Sequence, residues 1–150
     1  MLKGLDHRLN AEVLYALRAM GHGDTLAIVD TNFPAETAAK TSTFGRLLRM
    51  ENLTAAEAAE AVLSLLPLDT FVPDFAMRMQ VVGAPAEVPP VQAEVQAVIG
   101  RVDGQQSPMV GIERFAFYEE AKKAFAIVQT GERRFYGCVI FRKGVMPPTL

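Results

Sequence analysis

The chain has 150 residues, of which 50% are hydrophobic and 21% are charged, and its formal net charge at pH 7 is −2. Because lysine and arginine do not cluster, the sequence lacks the basic patch of a nucleic-acid-binding protein. It also has no run of about eighteen apolar residues, the length needed to span a bilayer. We therefore expect neither nucleic acid nor a membrane as a partner.

Length and composition also indicate the number of domains, the cellular compartment and the oligomeric state. A chain of this size is most simply one domain, 1–150, that buries roughly 70% of the surface of its unfolded form. The first eight residues are charged and lack the apolar core of a secretion signal, and the lone Cys138 cannot form an internal disulfide. Both features predict a cytoplasmic protein. The positive mean hydropathy predicts an oligomer, with an unusually apolar monomer as the alternative.

The first half of the chain alternates helix and strand patterns. Asn10 is a good N-cap, and apolar residues follow at helical spacing until Gly21. Thr25–Val29 is short, apolar and rich in β-branched residues, as in a buried strand. The remaining predictions are a turn at 31–34, a loop at 35–43, a strand at 46–50, a helix from 55 to about 66 opened by a Thr54/Glu57 capping box, and a loop at 68–73.

The second half continues the alternation and sets the fold class. It predicts a half-exposed strand at 76–82, an exposed connection at 83–90, a helix from Pro90 that buries Val91, Val95, Val98 and Ile99, a loop at 101–108, a strand at 109–114, a helix at 115–125, and strands at 126–129 and 135–142. The proline-rich tail, about 146–150, is predicted to be frayed. The fold class is α/β, a single-domain layered sheet flanked by helices.

The stretch 21–34, GHGDTLAIVDTNFP, carries the first functional signal. Asp30 ends the first strand, and open α/β sheets place ligands beyond the carboxyl ends of their strands, so Asp30 is predicted to face a small molecule. His22 lies beyond the other end of that strand, next to a helix C-terminus whose dipole favours a protonated imidazole. The fold or a neighbouring subunit must bring His22 to the same site.

Two separated blocks of the sequence carry a family resemblance. The first is GHGD, the apolar strand and Asp30-x-x-Phe-Pro, set after the helix that begins Asn10-Ala-Glu-Val-Leu-Tyr. The second is 113–128 with the later Thr130-Gly-Glu and Tyr136-Gly. Together the blocks resemble the L-fucose mutarotase and D-ribose pyranase (RbsD/FucU-like) family, and the second block is similar to the fucose branch in particular. The resemblance runs from the N-terminus to about Val145 and is weakest between 35 and 105.

The resemblance implies an RbsD-like fold and an isomerase, independent of metals and other cofactors, that interconverts the α and β anomers of L-fucose or a related monosaccharide. It implies that His22 is the proton donor, that Asp30 and Arg114 bind substrate, and that a strand segment formed by Tyr136, Gly137 and Cys138 closes the pocket. It also implies a homo-oligomeric ring, for example two stacked pentamers, with pockets completed across subunit boundaries. D-ribose pyranase activity and a non-catalytic sugar-binding or transport-accessory role are the alternatives, and an oligomeric scaffold is a third.

Three further positions bear on substrate identity. The family usually has asparagine where this chain has Cys138, and a thiol cannot replace an amide's paired donor and acceptor, unless the backbone makes the contact. Asp69, in a Leu-Asp-x-aromatic-x-Pro stretch that also resembles the family, is a candidate partner of the sugar or of His22. Tyr118 is a candidate sugar ligand.

Structural interpretations of the same residues stay open. His22 would simply end a helix, Asp30 would form the turn before Thr31, and Arg114 would pair with Glu113 or Glu119 on the surface. Cys138 would be an inert buried side chain. The phenylalanines at 115, 117, 125 and 135 would belong to the core or to an interface. A metal site built from His22, Asp24 and Asp30 is the least favoured alternative, because the chain has only two histidines.

Overall fold

A computed structural model describes residues 1–148; Thr149 and Leu150, part of the tail predicted to be frayed, lie outside the described residues. Six strands form one sheet in the order β2-β5-β1-β6-β3-β4. The strands are β1 (Thr25–Val29), β2 (Leu48–Met50), β3 (Ala76–Met79), β4 (Val110–Ile112), β5 (Ala126–Thr130) and β6 (Val139–Arg142). The helices are α1 (Ala11–Ala19), α2 (Ala35–Ala39), α3 (Ala55–Leu63), α4 (Pro90–Val98) and α5 (Arg114–Lys122), and a π-helical turn, Ile99–Asp103, extends α4.

Helices cover both faces of this mixed sheet. β6 is antiparallel to its neighbours β1 and β3, whereas the other paired strands are parallel. One apolar cluster joins α1, α3 and α4 to one face of the sheet, and a second joins α2 and α5 to the other. The predicted α/β layered class is confirmed. Over residues 1–148, no helix combines the length and the apolar character needed to cross a membrane.

The predicted helix caps are confirmed. The Asn10 side chain accepts a hydrogen bond from the Val13 N–H at 3.0 Å. Thr54 and Glu57 form the predicted capping box, with the Glu57 N–H donating to Thr54 Oγ1 at 3.2 Å and the Thr54 N–H donating to Glu57 Oε2 at 2.8 Å. These bonds satisfy N–H groups that have no partner within the helix, so both helices begin where their sequences predict.

The predicted loop at 35–43 is wrong in its first half, because residues 35–39 form α2. Ala35, Ala38 and Ala39, spaced one helical turn apart, are buried against the second apolar cluster. Their small side chains let the helix lie close to the sheet. The loop predicted from 101 is also wrong at its start, since the π-helical turn continues to Asp103.

The predicted last strand, 135–142, begins four residues late, at Val139. Tyr136 has φ of 64°, in the left-handed region, and this conformation does not fit an extended strand. The prediction that Tyr136, Gly137 and Cys138 form a strand segment is therefore wrong. They form the turn that leads into β6.

Candidate functional site

A cavity of about 330 Å³ opens at the C-terminal end of β1. It is lined by Asp30, Asn32, Phe33, Met79, Arg114, Tyr118, Phe135, Tyr136 and Cys138. Because β6 is antiparallel to β1 and pairs Val139 with Ile28, the turn before β6 arrives beside the residue after β1. The topology thus brings Asp30, Tyr136 and Cys138 together across more than one hundred residues of sequence.

Asp30 is only 4% exposed and is held by three backbone N–H groups. Its Oδ1 accepts hydrogen bonds from Asn32 N and Phe33 N, each at 3.0 Å, and its Oδ2 accepts one from Gly137 N at 3.1 Å. The turn-forming role and the cavity-lining role of Asp30 are therefore both present. The carboxylate is fixed in direction and keeps acceptor capacity on Oδ2 for a ligand hydroxyl.

Arg114 lies at the start of α5, one turn before Tyr118. Its Nε donates to the Tyr118 hydroxyl oxygen at 2.8 Å, and this hydrogen bond raises the pKa of Arg114. The alternative surface pairings are wrong, since Glu113 caps its own helix and Glu119 binds Lys122. Within residues 1–148 the terminal guanidinium nitrogens of Arg114 have no hydrogen-bond partner, so they are available to a ligand.

The turn before β6 supplies the remaining wall. The Tyr136 hydroxyl accepts a hydrogen bond from Val82 N at 3.2 Å, which leaves its own proton to donate. Only glycine fits at position 137 without a steric clash, because a Cβ there would lie 2.7 Å from Glu132 Cγ. Cys138 is buried, and burial together with the negative charge of Asp30 raises the pKa of its thiol well above the ordinary value. The thiol is therefore protonated and unreactive at neutral pH.

His22 does not line this cavity. It lies beyond the N-terminal end of β1, a five-residue strand that at about 3.3 Å per residue is roughly 16 Å long. Its Nε2 is 3.1 Å from Asp69 Oδ2, and its ring packs edge-on to Phe71 at 5.7 Å between centroids. The structure thus gives His22 its predicted partner Asp69, but within one chain it does not bring this pair to Asp30, Arg114 and Tyr136.

Asp69 is positioned to hold the imidazole. Burial raises its pKa, but the Phe71 N–H at 3.0 Å and the His22 ring outweigh that effect and lower the pKa below its ordinary value. The resulting carboxylate favours a proton on the facing Nε2 and fixes the ring orientation, while 45% of the His22 side chain stays exposed. His22 therefore pairs with Asp69 and does not merely end helix α1.

The described residues do not form a metal centre. Over 1–148, no group of three histidine, cysteine, aspartate or glutamate side chains lies close enough to hold an ion. Asp24 Oδ2 accepts from Gly21 N at 2.7 Å, and Asp30 lies at the opposite end of β1 from His22. The candidate set of His22, Asp24 and Asp30 is therefore not a cluster.

Residues 3–146 match the RbsD / FucU transport protein family. The chain belongs to the RbsD/FucU family. A fucose mutarotase of Homo sapiens is 44% identical over 148 residues, covering 97% of this chain and 94% of that protein.

Solved structures of RbsD/FucU relatives have the same fold. A fucose mutarotase from Streptococcus pneumoniae, solved in complex with L-fucose, is 31% identical with a TM-score of 0.87, covering 97% of this chain and 100% of that one. Another crystal structure, of a protein described provisionally as sugar-binding, is 56% identical with a TM-score of 0.95 and covers 98% of this chain and 97% of that one.

The sequence does not predict several residues that line or support this cavity. The sequence predicts Phe33 only as part of a motif, Met79 only as part of a half-exposed strand at 76–82, and Phe135 only as core or interface, although Phe135 is 76% exposed at the cavity. Asn32 is predicted only as part of the turn at 31–34. Gln92, buried behind the cavity, carried one detectable signal: a polar residue within the apolar face of α4.

Proposed function

We propose that this protein is a fucose mutarotase, an isomerase that interconverts the α and β anomers of L-fucose or a closely related monosaccharide. The observation that carries the proposal is the cavity, which combines a fixed carboxylate, a guanidinium and two phenols with an apolar wall. Its support is the full-length similarity to proteins named fucose mutarotases at 44% and 31% identity. We propose that residues 1–150 form a single domain.

The cavity matches the chemistry of a monosaccharide. Asp30 accepts hydrogen bonds from sugar hydroxyls, and the free nitrogens of Arg114 and the hydroxyls of Tyr118 and Tyr136 donate them. Phe135 offers an exposed ring to the C–H face of the sugar. A ligand with several hydroxyls and one apolar face satisfies both kinds of surface.

His22 is the proton-transfer group in this proposal. Ring opening needs one group to take the proton of the anomeric hydroxyl and another to give a proton to the ring oxygen, after which the free aldehyde turns and recloses. His22, oriented by the Asp69 carboxylate, can donate a proton as imidazolium and take one back as imidazole. The reaction forms no covalent intermediate with the protein and needs no metal or nucleotide.

Because His22 and the cavity lie at opposite ends of β1, the proposed catalyst is a homo-oligomer in which His22 of one chain reaches the cavity of another. Three aromatic side chains that one chain leaves exposed support this arrangement. Phe71 packs on His22, Phe135 lines the cavity, and Phe115 follows Arg114 on α5. We propose that the oligomer is a closed ring, for example two stacked pentamers. We also propose that the protein is cytoplasmic, where the buried thiol of Cys138 stays reduced.

Saturation-transfer NMR of anomeric protons, run on L-fucose and a panel of aldoses that includes D-ribose, tests the function. We expect wild type to accelerate anomer exchange of L-fucose, His22→Ala to abolish the acceleration, and His7→Ala to retain it, because His7 is the other histidine and is exposed. No acceleration by wild type, or full acceleration by His22→Ala, would remove the proposal.

The same assay separates the main alternative. The family's description as transport proteins favours, as a second candidate, a protein that binds the sugar without changing it. Such a protein would show saturable sugar binding with unaltered anomer exchange. Faster interconversion of D-ribose ring forms than of L-fucose anomers would instead point to a pyranase.

A further inference from the structure

We propose that Gln92 is a positioning residue of the sugar site, because its buried amide holds the Tyr136–Gly137 peptide in the orientation that serves Asp30. The kinetic part of this inference rests on the proposed function. The structural part rests on the geometry of the described residues alone.

Gln92 lies on α4 with 0% exposure, and each part of its amide is used. Its Nε2 donates to the carbonyl oxygens of Met79 at 2.7 Å and Tyr136 at 2.9 Å. Its Oε1 accepts from Arg78 Nη1 at 3.3 Å. Two carbonyls require donors and a guanidinium requires an acceptor, so only this amide orientation satisfies all three neighbours.

The Tyr136 carbonyl and the Gly137 N–H belong to one peptide unit, which is therefore held at both ends. Gln92 binds the carbonyl end, and the N–H end donates to Asp30 Oδ2 at 3.1 Å. This peptide follows the left-handed Tyr136, whose φ of 64° is unfavourable for a residue with a side chain. Rotation of this peptide changes ψ of Tyr136 and φ of Gly137, and glycine permits φ of either sign. Without the Gln92 donor, the peptide keeps only its Gly137 N–H bond to Asp30 against that rotation.

Such a rotation reaches the cavity through two groups. It withdraws the Gly137 N–H from Asp30, and it moves the backbone that carries the Tyr136 phenol, whose oxygen accepts from Val82 N. Asp30 and Tyr136 both line the cavity, whereas Gln92 does not. Gln92 therefore acts on the sugar through these two residues.

Gln92→Leu tests the inference, and Gln96→Leu is its matched control. Gln96 lies one turn later on α4 and also makes two hydrogen bonds to backbone, accepting from Met109 N at 2.8 Å and donating to Ser107 O at 3.1 Å, but it does not line the cavity. Loss of either amide removes comparable bonds. Only the loss of Gln92 frees the Tyr136–Gly137 peptide.

Two measurements read out the result. By NMR hydrogen exchange, the Gly137 amide should exchange at least about tenfold faster in Gln92→Leu and at the wild-type rate in Gln96→Leu. In the anomer-exchange assay, KM for L-fucose should rise about 10-fold to 100-fold in Gln92→Leu, the range for a supporting bond whose loss shifts a binding group by about 1 Å. The kcat should change by less than about threefold, because proton transfer belongs to His22.

A wild-type KM together with wild-type Gly137 exchange in Gln92→Leu would overturn the inference. If wild type itself does not accelerate anomer exchange, the proposed function fails, and Gly137 exchange still decides the role of Gln92. If Gln92→Leu does not fold, Gln92→Glu keeps the side-chain volume and places a carboxylate oxygen against both carbonyls. The same losses are expected in Gln92→Glu, and wild-type values there would also overturn the inference.

Discussion

At the residue scale, Asp30 is oriented by N–H groups from two distant parts of the chain. Asn32 and Phe33 come from its own turn, and Gly137 comes from the turn before β6. The turn before β6 can lie this close to Asp30 because Gly137 has no side chain. Glu132 fills the space where a Cβ would lie, and it is fixed by bonds to Ala55 N and to the Arg134 guanidinium.

Gly137→Ala is expected to disturb both stability and sugar binding. The new methyl group would lie 2.7 Å from Glu132 Cγ and 3.4 Å from Asp30 Cβ, and Glu132 cannot move without breaking its bonds to Arg134 and Ala55. Overpacking of this kind costs about 1 to 3 kcal/mol of unfolding free energy, measurable by urea denaturation. We also expect KM for the sugar to rise about tenfold or more, since Asp30 is displaced.

Gly100→Ala is the control for that substitution. The nearest atom to a Cβ at Gly100 is Gln106 Nε2, at 3.6 Å, which is an ordinary contact. The expected change in unfolding free energy is within about 0.5 kcal/mol, with unchanged KM. Equal effects of the two substitutions would show that the space at Gly137 is not what positions Asp30.

The sequence predicts site residues only where a residue type and a motif coincide. His22, Asp30 and Arg114 stand in motif blocks. The sequence offers Asp69 as a partner of the sugar or of His22, and its carboxylate lies 3.1 Å from the His22 ring. Gln92 and Phe135 could not be assigned, since their roles depend on which backbone carbonyl or cavity lies beside them. That information comes from the packing of α4 against the turn before β6 and is not local in sequence.

At the element scale, the predictions are confirmed where an element depends only on residues close to it in the sequence. The caps of α1 and α3 and the apolar run of β1 are local, and each is confirmed. The sequence does not predict α2, because its alanines are stabilised by packing on the sheet and not by a pattern of their own. The predicted strand at 135–142 starts earlier than β6 does, because nothing in the sequence indicates the left-handed conformation of Tyr136.

The N-terminal segment illustrates a non-local attachment of one element to another. Asp6 binds Arg8 through both carboxylate oxygens, at 3.0 and 2.6 Å, and Arg8 in turn binds Glu60 on α3 at 2.9 Å. The Arg8 hydrogen bond, acting against burial, lowers the pKa of Asp6 to about 2. These contacts attach the segment before α1 to α3.

Asp6→Asn is expected to lower the unfolding free energy at pH 7 by about 1 to 2 kcal/mol. Because the pKa of Asp6 is lower in the folded state, about 2, than the roughly 3.9 of an unfolded chain, its contribution is complete above about pH 4 and is lost as pH falls toward 2. Urea denaturation across pH 2 to 7 should show wild type and Asp6→Asn converging at the acid end. Glu51→Gln, which removes an exposed pair with Arg49, should cost much less at pH 7.

At the scale of the whole molecule, the proposed mechanism uses two groups of residues at opposite ends of the same sheet: His22 with Asp69, and the cavity around Asp30. β6 connects them, since it begins at Val139, next to Cys138 of the cavity, and ends near His22. At that end Arg142 Nη1 donates to Gly23 O at 3.3 Å and Arg142 O accepts from Asp69 N at 3.0 Å. A contact that joins the His22 end of one copy to the cavity of the next is head-to-tail. Repeated head-to-tail contacts close into a ring when the rotation allows it.

Mixed oligomers of two inactive variants test this arrangement. His22→Ala removes the proton-transfer group and Asp30→Ala removes the cavity carboxylate, so each variant alone should be inactive. In rings co-assembled from equal amounts of the two, a site needs an intact His22 from one copy and an intact cavity from its neighbour. About a quarter of the sites then meet both conditions under random head-to-tail assembly, so we expect about a quarter of wild-type anomer exchange in the NMR assay.

Co-assembly of His22→Ala with the double variant His22→Ala, Asp30→Ala should stay inactive, since no copy supplies the imidazole. A mixed ring without activity, while wild-type rings assembled in the same way are active, would mean that both groups act within one chain.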